Sequence, residues 1–262
     1  MANIYRTLIV EKVGAVSIIK LNDPETMNAA SPEMVEELIS AFDRESLASR
    51  AILLTGAGRG FCSGANLGGT LNPEEPGYDA GLYLATHYNR LMLAIRALLV
   101  PIITAVNGPA AGIGAAIALA GDMIISGRSG YFLQAFARIG LVPDGGSAFL
   151  LIQAVGRPRA MEMMLLGERT PASTALDWGL INRVVADEDL LDEALALATK
   201  LADGPTVALG MMRRLAWASM DSRYDELLNR EREFQRDAGR TPDHREGVAA
   251  FFEKRPSRFV GR

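Results

Sequence analysis

Along the first fifty residues the apolar positions change their period. "TLIVEKV" (residues 7–13) and "AVSIIKL" (15–21) are β-branched runs on either side of Gly14, the pattern of a hairpin. "SPEMVEELISAF" then takes up the helical period, with Ser31 placed as N-cap, Pro32 at the first helical position and Glu33 to Glu37 near the positive end. "AILLTGAG" reads as a short buried strand, and a loop rich in Gly, Pro and Asn follows, "GRGFCSGANLGGTLNPEEPG". A helix is predicted from about Asp79 to Leu99, then a strand at "PIITAVNG". "GIGAAIALAG" is an apolar helix, "MIISG" a strand and "YFLQAF" an extended piece. "SAFLLIQAVG" and "PRAMEMMLLG" read as two helices, "TPASTALDWG" as a helix capped by Thr170, and "LINRVV" as a strand.

From Asp187 onward strand signals disappear. "DLLDEALALATKLAD", "PTVALGMMRRLAWASM" and "YDELLNREREFQRDAG" keep helical periodicity, and "PDHREGVAAFFEKR" gives a final short helix and tail. The repeated strand–strand–helix units imply one continuous α/β core over residues 1–190, with a helical region at 191–262. Met211, Met212, Trp217, Leu227 and Phe234 in that region need cover from the core or from another subunit.

Composition narrows the function. The 262 residues are 49% hydrophobic and 22% charged, with a formal net charge of −4, so no basic face for nucleic acid is expected. A small anionic ligand remains compatible, since a few local cations suffice for it. The single cysteine, Cys62, excludes an internal disulfide framework and a Cys-based zinc site. His87 and His244 stand far apart, so no metal is expected. The start "MANIYRTLIVEKV" has no basic segment followed by an apolar core, and a cytoplasmic location is expected. The apolar region from Leu91 to Ile125 is interrupted by Arg96, Pro101, Asn107, Pro109 and Asp122, which predicts core and not a membrane span.

Three glycine-rich places stand out: "GAGRGFCSGANLGG", "VNGPAAGIGAA" and the "PDGG" turn. Glycine lets backbone approach a ligand closely, and two N–H groups aimed at one developing oxyanion stabilise it by roughly 3–4 kcal/mol per donor. A dinucleotide fingerprint in the second loop fails, because Ile117 occupies the third glycine position and no clean βαβ unit follows. Asp144, between Pro143 and two glycines, is by itself an ordinary turn residue. Cys62 has no acid or base beside it, and His87 reads as a surface or core histidine that could instead line a pocket.

Taken in order, "PETMNAASPEM", "GAGRGFCSGANL", "VNGPAAGIGAAIALAGDMIISG", "IGLVPDGGSAFLL", "GERTPASTALDWGLINRVV" and "EGVAAFFEKRPSRF" resemble the crotonase, or enoyl-CoA hydratase/isomerase, superfamily over nearly the whole length. The resemblance implies an α/β fold, a crotonase-like spiral of ββα repeats with an α-helical C-terminal region used for assembly into a trimer or a dimer of trimers. It implies an acyl-CoA thioester as ligand, with CoA arriving as part of the substrate and no separate cofactor, metal, nucleic acid or membrane partner. The thioester carbonyl would be polarised by the backbone N–H groups of Ala65 and Ile113, the latter replacing the usual glycine. Met27, Asn28 and Ala29 would lie along the CoA, with Ser63, Gly64, Asn66, Leu67, Gly112 and Phe136 around the thioester. Phe251 and Lys254 resemble residues that reach a CoA in a neighbouring subunit.

The family's hydratases hold a water between two glutamates, and the matching positions here are Ala116 and Phe136. Without that pair the expectation turns from hydration to double-bond isomerisation. In the family an acid at the Asp144 position occurs in enoyl-CoA isomerases, including those of ring-epoxide phenylacetyl-CoA, and in aryl-CoA dehalogenases. Asp144 is therefore the expected proton carrier, in a pocket made apolar by Phe136, Ile113, Leu141 and Val142. Hydration, ring opening, aryl dehalogenation and a non-catalytic acyl-CoA binder stay open beside it.

Overall fold

The computed structural model describes residues 5–66, 74 and 76–262. The hairpin forms as read: β1 (Leu8–Val13) and β2 (Val16–Leu21) pair antiparallel, and Gly14 supplies the left-handed turn (φ 58°). Ser31 caps α1 (Pro32–Ala48) by accepting from the Met34 N–H. After α1 come β3 (Ala51–Gly56), α2 (Ala80–Tyr83), a π-helical turn at Leu84–Tyr88 and α3 (Asn89–Ala97). The middle of the chain holds β4 (Ile102–Val106), β5 (Pro109–Ala111), α4 (Ile113–Leu119), β6 (Met123–Gly127) and β7 (Tyr131–Leu133). Then follow α5 (Ser147–Leu166), β8 (Arg169–Pro171), α6 (Ala172–Asp177), β9 (Arg183–Val185) and four helices, α7 (Leu190–Ala202), α8 (Thr206–Ser219), α9 (Tyr224–Ala238) and α10 (Pro242–Glu253).

The strands build a six-stranded sheet in the order β1-β2-β3-β4-β6-β9 and a three-stranded sheet in the order β5-β7-β8. From β2 to β9 the large sheet is parallel, so both its faces need cover. Side-chain alternation shows this in β3: Ile52 and Leu54 join Phe42, Leu38 and Ile95 on one face, and Ala51 and Leu53 join Ala194, Leu197 and Ala198 of α7 on the other. The helical region therefore does not stand apart from residue 190 onward. The expected boundary falls at the start of α7, and that helix is one wall of the sheet's core.

Two expectations differ in detail and a third holds. "YFLQAF" is extended only as far as Leu133, and Ala135–Ile139 close into a 3-10 turn. Thr170 does not cap α6; it pairs with Phe132 in β8, and Pro171 precedes the helix without a side-chain cap. The two helices predicted within 147–167 are both present, divided by the non-helical backbone of Gly156 (φ 73°, ψ 165°). No helix among the described residues is long and apolar enough to cross a membrane.

Candidate active site

The first two glycine loops meet at the N-terminus of α4. Ala30 and Ala65 form a parallel bridge, in which Ala30 N–H donates to Gly64 O (2.7 Å) and Asn66 N–H to Ala30 O (3.5 Å). In such a bridge the peptide groups of the intervening residue face the opposite side. On that opposite side runs β5: Cys62 bridges Ala110, and Ala111 N–H donates to Cys62 O (3.0 Å). Gly112 (φ 53°, ψ −126°) then turns the chain into α4, and its N–H is spent on Leu133 O (2.9 Å). A Cβ at Gly112 would lie 3.9 Å from Gly64 Cα and 3.6 Å from the Phe136 ring, so the two loops and Phe136 are in mutual contact. Ile113, first residue of α4, has no i−4 partner for its N–H. No backbone bond of the described residues has the Ala65 or Ile113 N–H as donor.

The third loop closes the space. Gly145 (φ 57°) and Gly146 (φ 75°) are both left-handed, and a Cβ at Gly145 would collide with Ile113 Cδ1 and come within 2.9 Å of Ala116 Cβ. Asp144 thus sits directly before the turn that packs on the start of α4, its carbonyl accepting from Ser147 N–H (2.9 Å). Its Oδ1 is buried and has no hydrogen-bond partner among the described residues. Burial pushes the carboxyl up to about 6, with no cation to offset it. Ala116 and Phe136, expected to match the glutamate positions of the family's hydratases, are both buried; Ala116 borders the Gly145 turn and Phe136 the Gly112 loop. Leu141 and Val142, expected as pocket walls, are instead exposed (39% and 79%). A cleft of about 380 Å³ opens beside Gly145 and Gly146, walled by Met92, Leu93, Phe149 and Trp217, with the Arg96–Asp221 ion pair at its rim. Trp217, read as packing, thus also faces this cleft.

The remaining residues divide. Met27 and Asn28 are left-handed (φ 54° and 59°) and lead to buried Ala29. Asn28 is fully buried, and its side chain is spent on Asp23 N–H, Ala57 O and Gly60 O. Its amide ties two loops together, so it is not the side chain of Asn28 that the Met27–Ala29 segment would offer to CoA. Ser63 Oγ is likewise committed, donating to Thr26 O (2.8 Å). Leu67 lies outside the described residues. Phe251 is on α10 and Lys254 caps its C-terminus; Phe251 and Phe252, with Phe259 beyond the helix, line a separate cleft of about 640 Å³ that shares no wall with the cleft beside Gly145. Cys62 is buried and its thiol is pushed up to about 11, which makes it inert. His87 stacks on Tyr83 (4.4 Å) and pairs with Thr86 Oγ1. Among the described residues no group of three or more His, Cys, Asp or Glu could hold a metal ion.

One residue had no signal in the sequence. Tyr88, 2% exposed, donates its hydroxyl to Ala30 O (2.9 Å), and its own pKa is raised by burial, by Tyr83 and by the nearby charge of Asp144.

A spiral of strand–strand–helix units, converging glycine loops and a helical C-terminal layer define the crotonase superfamily. The chain belongs to its enoyl-CoA hydratase/isomerase family, whose sequence profile matches residues 11–262 and whose members act on acyl-CoA thioesters. It is 43% identical to a 1,2-epoxyphenylacetyl-CoA isomerase of Escherichia coli (94% of this chain, 95% of the relative). It is 41% identical to a probable enoyl-CoA hydratase of Rhodobacter capsulatus (98% and 99%). Among solved structures, a putative enoyl-CoA hydratase/isomerase from Mycobacterium abscessus superposes with a TM-score of 0.91 at 33% identity, covering 97% of this chain and 100% of that one.

Proposed function

We propose that the protein isomerises the double bond of an enoyl-CoA thioester, with Asp144 as proton carrier and the Ala65 and Ile113 N–H groups as oxyanion hole. One observation carries the reading: a half-buried carboxylate with one oxygen buried and unpartnered among the described residues, raised to about 6, precedes the Gly145 turn that packs on Ala116, and Ala116 and Phe136 hold the positions where a water-activating pair would stand. A single carboxylate suits transfer of a proton within one substrate. Asp144 takes the C2 proton of a 3-enoyl-CoA, charge moves onto the thioester oxygen, and the proton returns at C4 as the carbonyl re-forms. No water enters and nothing is oxidised. CoA belongs to the substrate, and no resident cofactor takes part. The cleft beside Gly145 suits the acyl group. Phe251 and Lys254 would meet CoA only from a neighbouring subunit, in a trimer or dimer of trimers.

A second reading, isomerisation of a ring-epoxide acyl-CoA through the same enolate, is favoured by the 43% identity to the E. coli enzyme. Both are tested by incubating the protein with 2-enoyl-, 3-enoyl- and ring-epoxide acyl-CoA esters and following products by chromatography and mass. A shifted retention time at unchanged mass, lost in Asp144→Asn, supports isomerisation. A gain of one water on 2-enoyl esters overturns it.

A further inference from the structure

Tyr88 stands where the two halves of the site meet. Its position is a product of the π-helical turn at Leu84–Tyr88. In a regular α-helix residues five apart diverge by about 140°; here Tyr83 and Tyr88 share a face, with ring centroids 4.8 Å apart. Short π-turns are rare and concentrate at functional sites. The turn delivers the Tyr88 hydroxyl to Ala30 O (2.9 Å).

Ala30 is the residue whose backbone grips Gly64 and Asn66, on either side of Ala65. Its carbonyl is held by the Tyr88 hydroxyl at 2.9 Å and by the Asn66 N–H at 3.5 Å, so the shorter contact is the phenol. No other described strand lies between Ala30 and the Ala65 segment, and the bridge is a single pair. A one-residue bridge is weak by itself, and a buried phenol hydroxyl is costly without its partner. Each therefore depends on the other. The charge of Asp144 also acts on the Tyr88 hydroxyl, helping to raise it.

We propose that Tyr88 is a positioning residue for the oxyanion hole: through Ala30 it sets the direction of the Ala65 N–H relative to Asp144. This rests on the oxyanion-hole reading given above. Tyr88 touches neither the thioester nor the transferred proton; it fixes the strand that presents one donor.

The test is Tyr88→Phe, which keeps the ring and removes the hydroxyl. Tyr83→Phe is the comparison, because the Tyr83 hydroxyl interacts with Tyr88 but is not the group bonded to Ala30 O. In Tyr88→Phe kcat falls about ten-fold or more while KM stays within about two-fold, since a misaimed donor weakens the transition state more than the bound substrate. In Tyr83→Phe both stay within about two-fold. The direct readout is the infrared C=O stretch of a bound, unreactive saturated acyl-CoA thioester. The wild type shifts it to lower frequency, and Tyr88→Phe loses much of that shift. A full shift and full kcat in Tyr88→Phe overturn the inference and leave the function standing. Equal losses in the two variants also overturn it, since ring packing would then explain them. No shift in the wild type removes the oxyanion hole, and this inference falls with it. Isomerisation that survives in Asp144→Asn overturns the choice of base alone.

Discussion

Asp144 is the residue at which local pattern and tertiary setting disagree. Pro-Asp-Gly is a turn, and the turn is real, yet one carboxylate oxygen, Oδ1, is buried without a partner among the described residues. As a base it works ionised, so kcat/KM should rise with pH through about 6 and be flat above it. A pH–rate profile with no inflection between pH 5 and 7, limits set by about one unit either side of that value, would contradict this assignment. The same shift costs stability. The folded carboxyl binds its proton more tightly than the unfolded chain does, so ionising it destabilises the fold. The cost is absent below the ordinary value of 3.8 and complete above about 6, where it reaches roughly 2–3 kcal/mol. Asp144→Asn should therefore abolish turnover yet raise the melting temperature at pH 7.5, with the gain vanishing near pH 4. The sequence made Asp144 legible because its neighbours match a family pattern. It gave no warning of Tyr88, since a helical wheel places that residue by a 3.6-residue period that the π-turn abandons.

At the scale of elements, the site is an arrangement of turns held by helix ends. The "PDGG" turn needs both glycines left-handed, and Gly145 has no room for a Cβ against Ile113 and Ala116. Gly145→Ala should cost roughly 1–3 kcal/mol and displace Asp144, so activity falls further than stability alone explains. Chemical denaturation beside kcat/KM checks it; unchanged activity would show that the turn tolerates relaxation. The long apolar elements were readable. β2, β3, β4, β6, α1, α4 and the three last helices lie where the periodicity puts them. The small sheet was only partly so: the extended reading of "YFLQAF" marks β7, but β5 and β8, three residues each, carry no alternation to detect. The structural part of Asn28 was not legible either: only the fold shows its amide consumed by three backbone groups.

At the scale of the molecule, one buried cation joins the C-terminal layer to the core. The Arg213 side chain, 2% exposed on α8, donates to Ile95 O (2.5 Å), Arg96 O (2.7 Å) and Leu98 O (3.1 Å), and to Asp122 Oδ2 (2.8 Å). Burial raises the Asp122 carboxyl and lowers the Arg213 guanidinium, and each partner opposes the other's shift. Removing one partner of such a pair leaves the other uncompensated, so Arg213→Ala should cost about 3–5 kcal/mol, read as a lower denaturation midpoint. An effect below about 1 kcal/mol would mean that water replaces the guanidinium without penalty.

The carbonyls that Arg213 seals are the last of α3, and α3 is the helix that continues directly from Tyr88. A tether at one end of a short helix limits sliding and fraying at the other. The amide protons of Leu91 and Ile95 should then exchange with solvent in the same opening event as those of α8, and heating should extinguish activity when the C-terminal layer lets go, while the large sheet still stands. Sequence distance hides this: α8, well separated from Asp144 along the chain, governs how long its surroundings stay assembled.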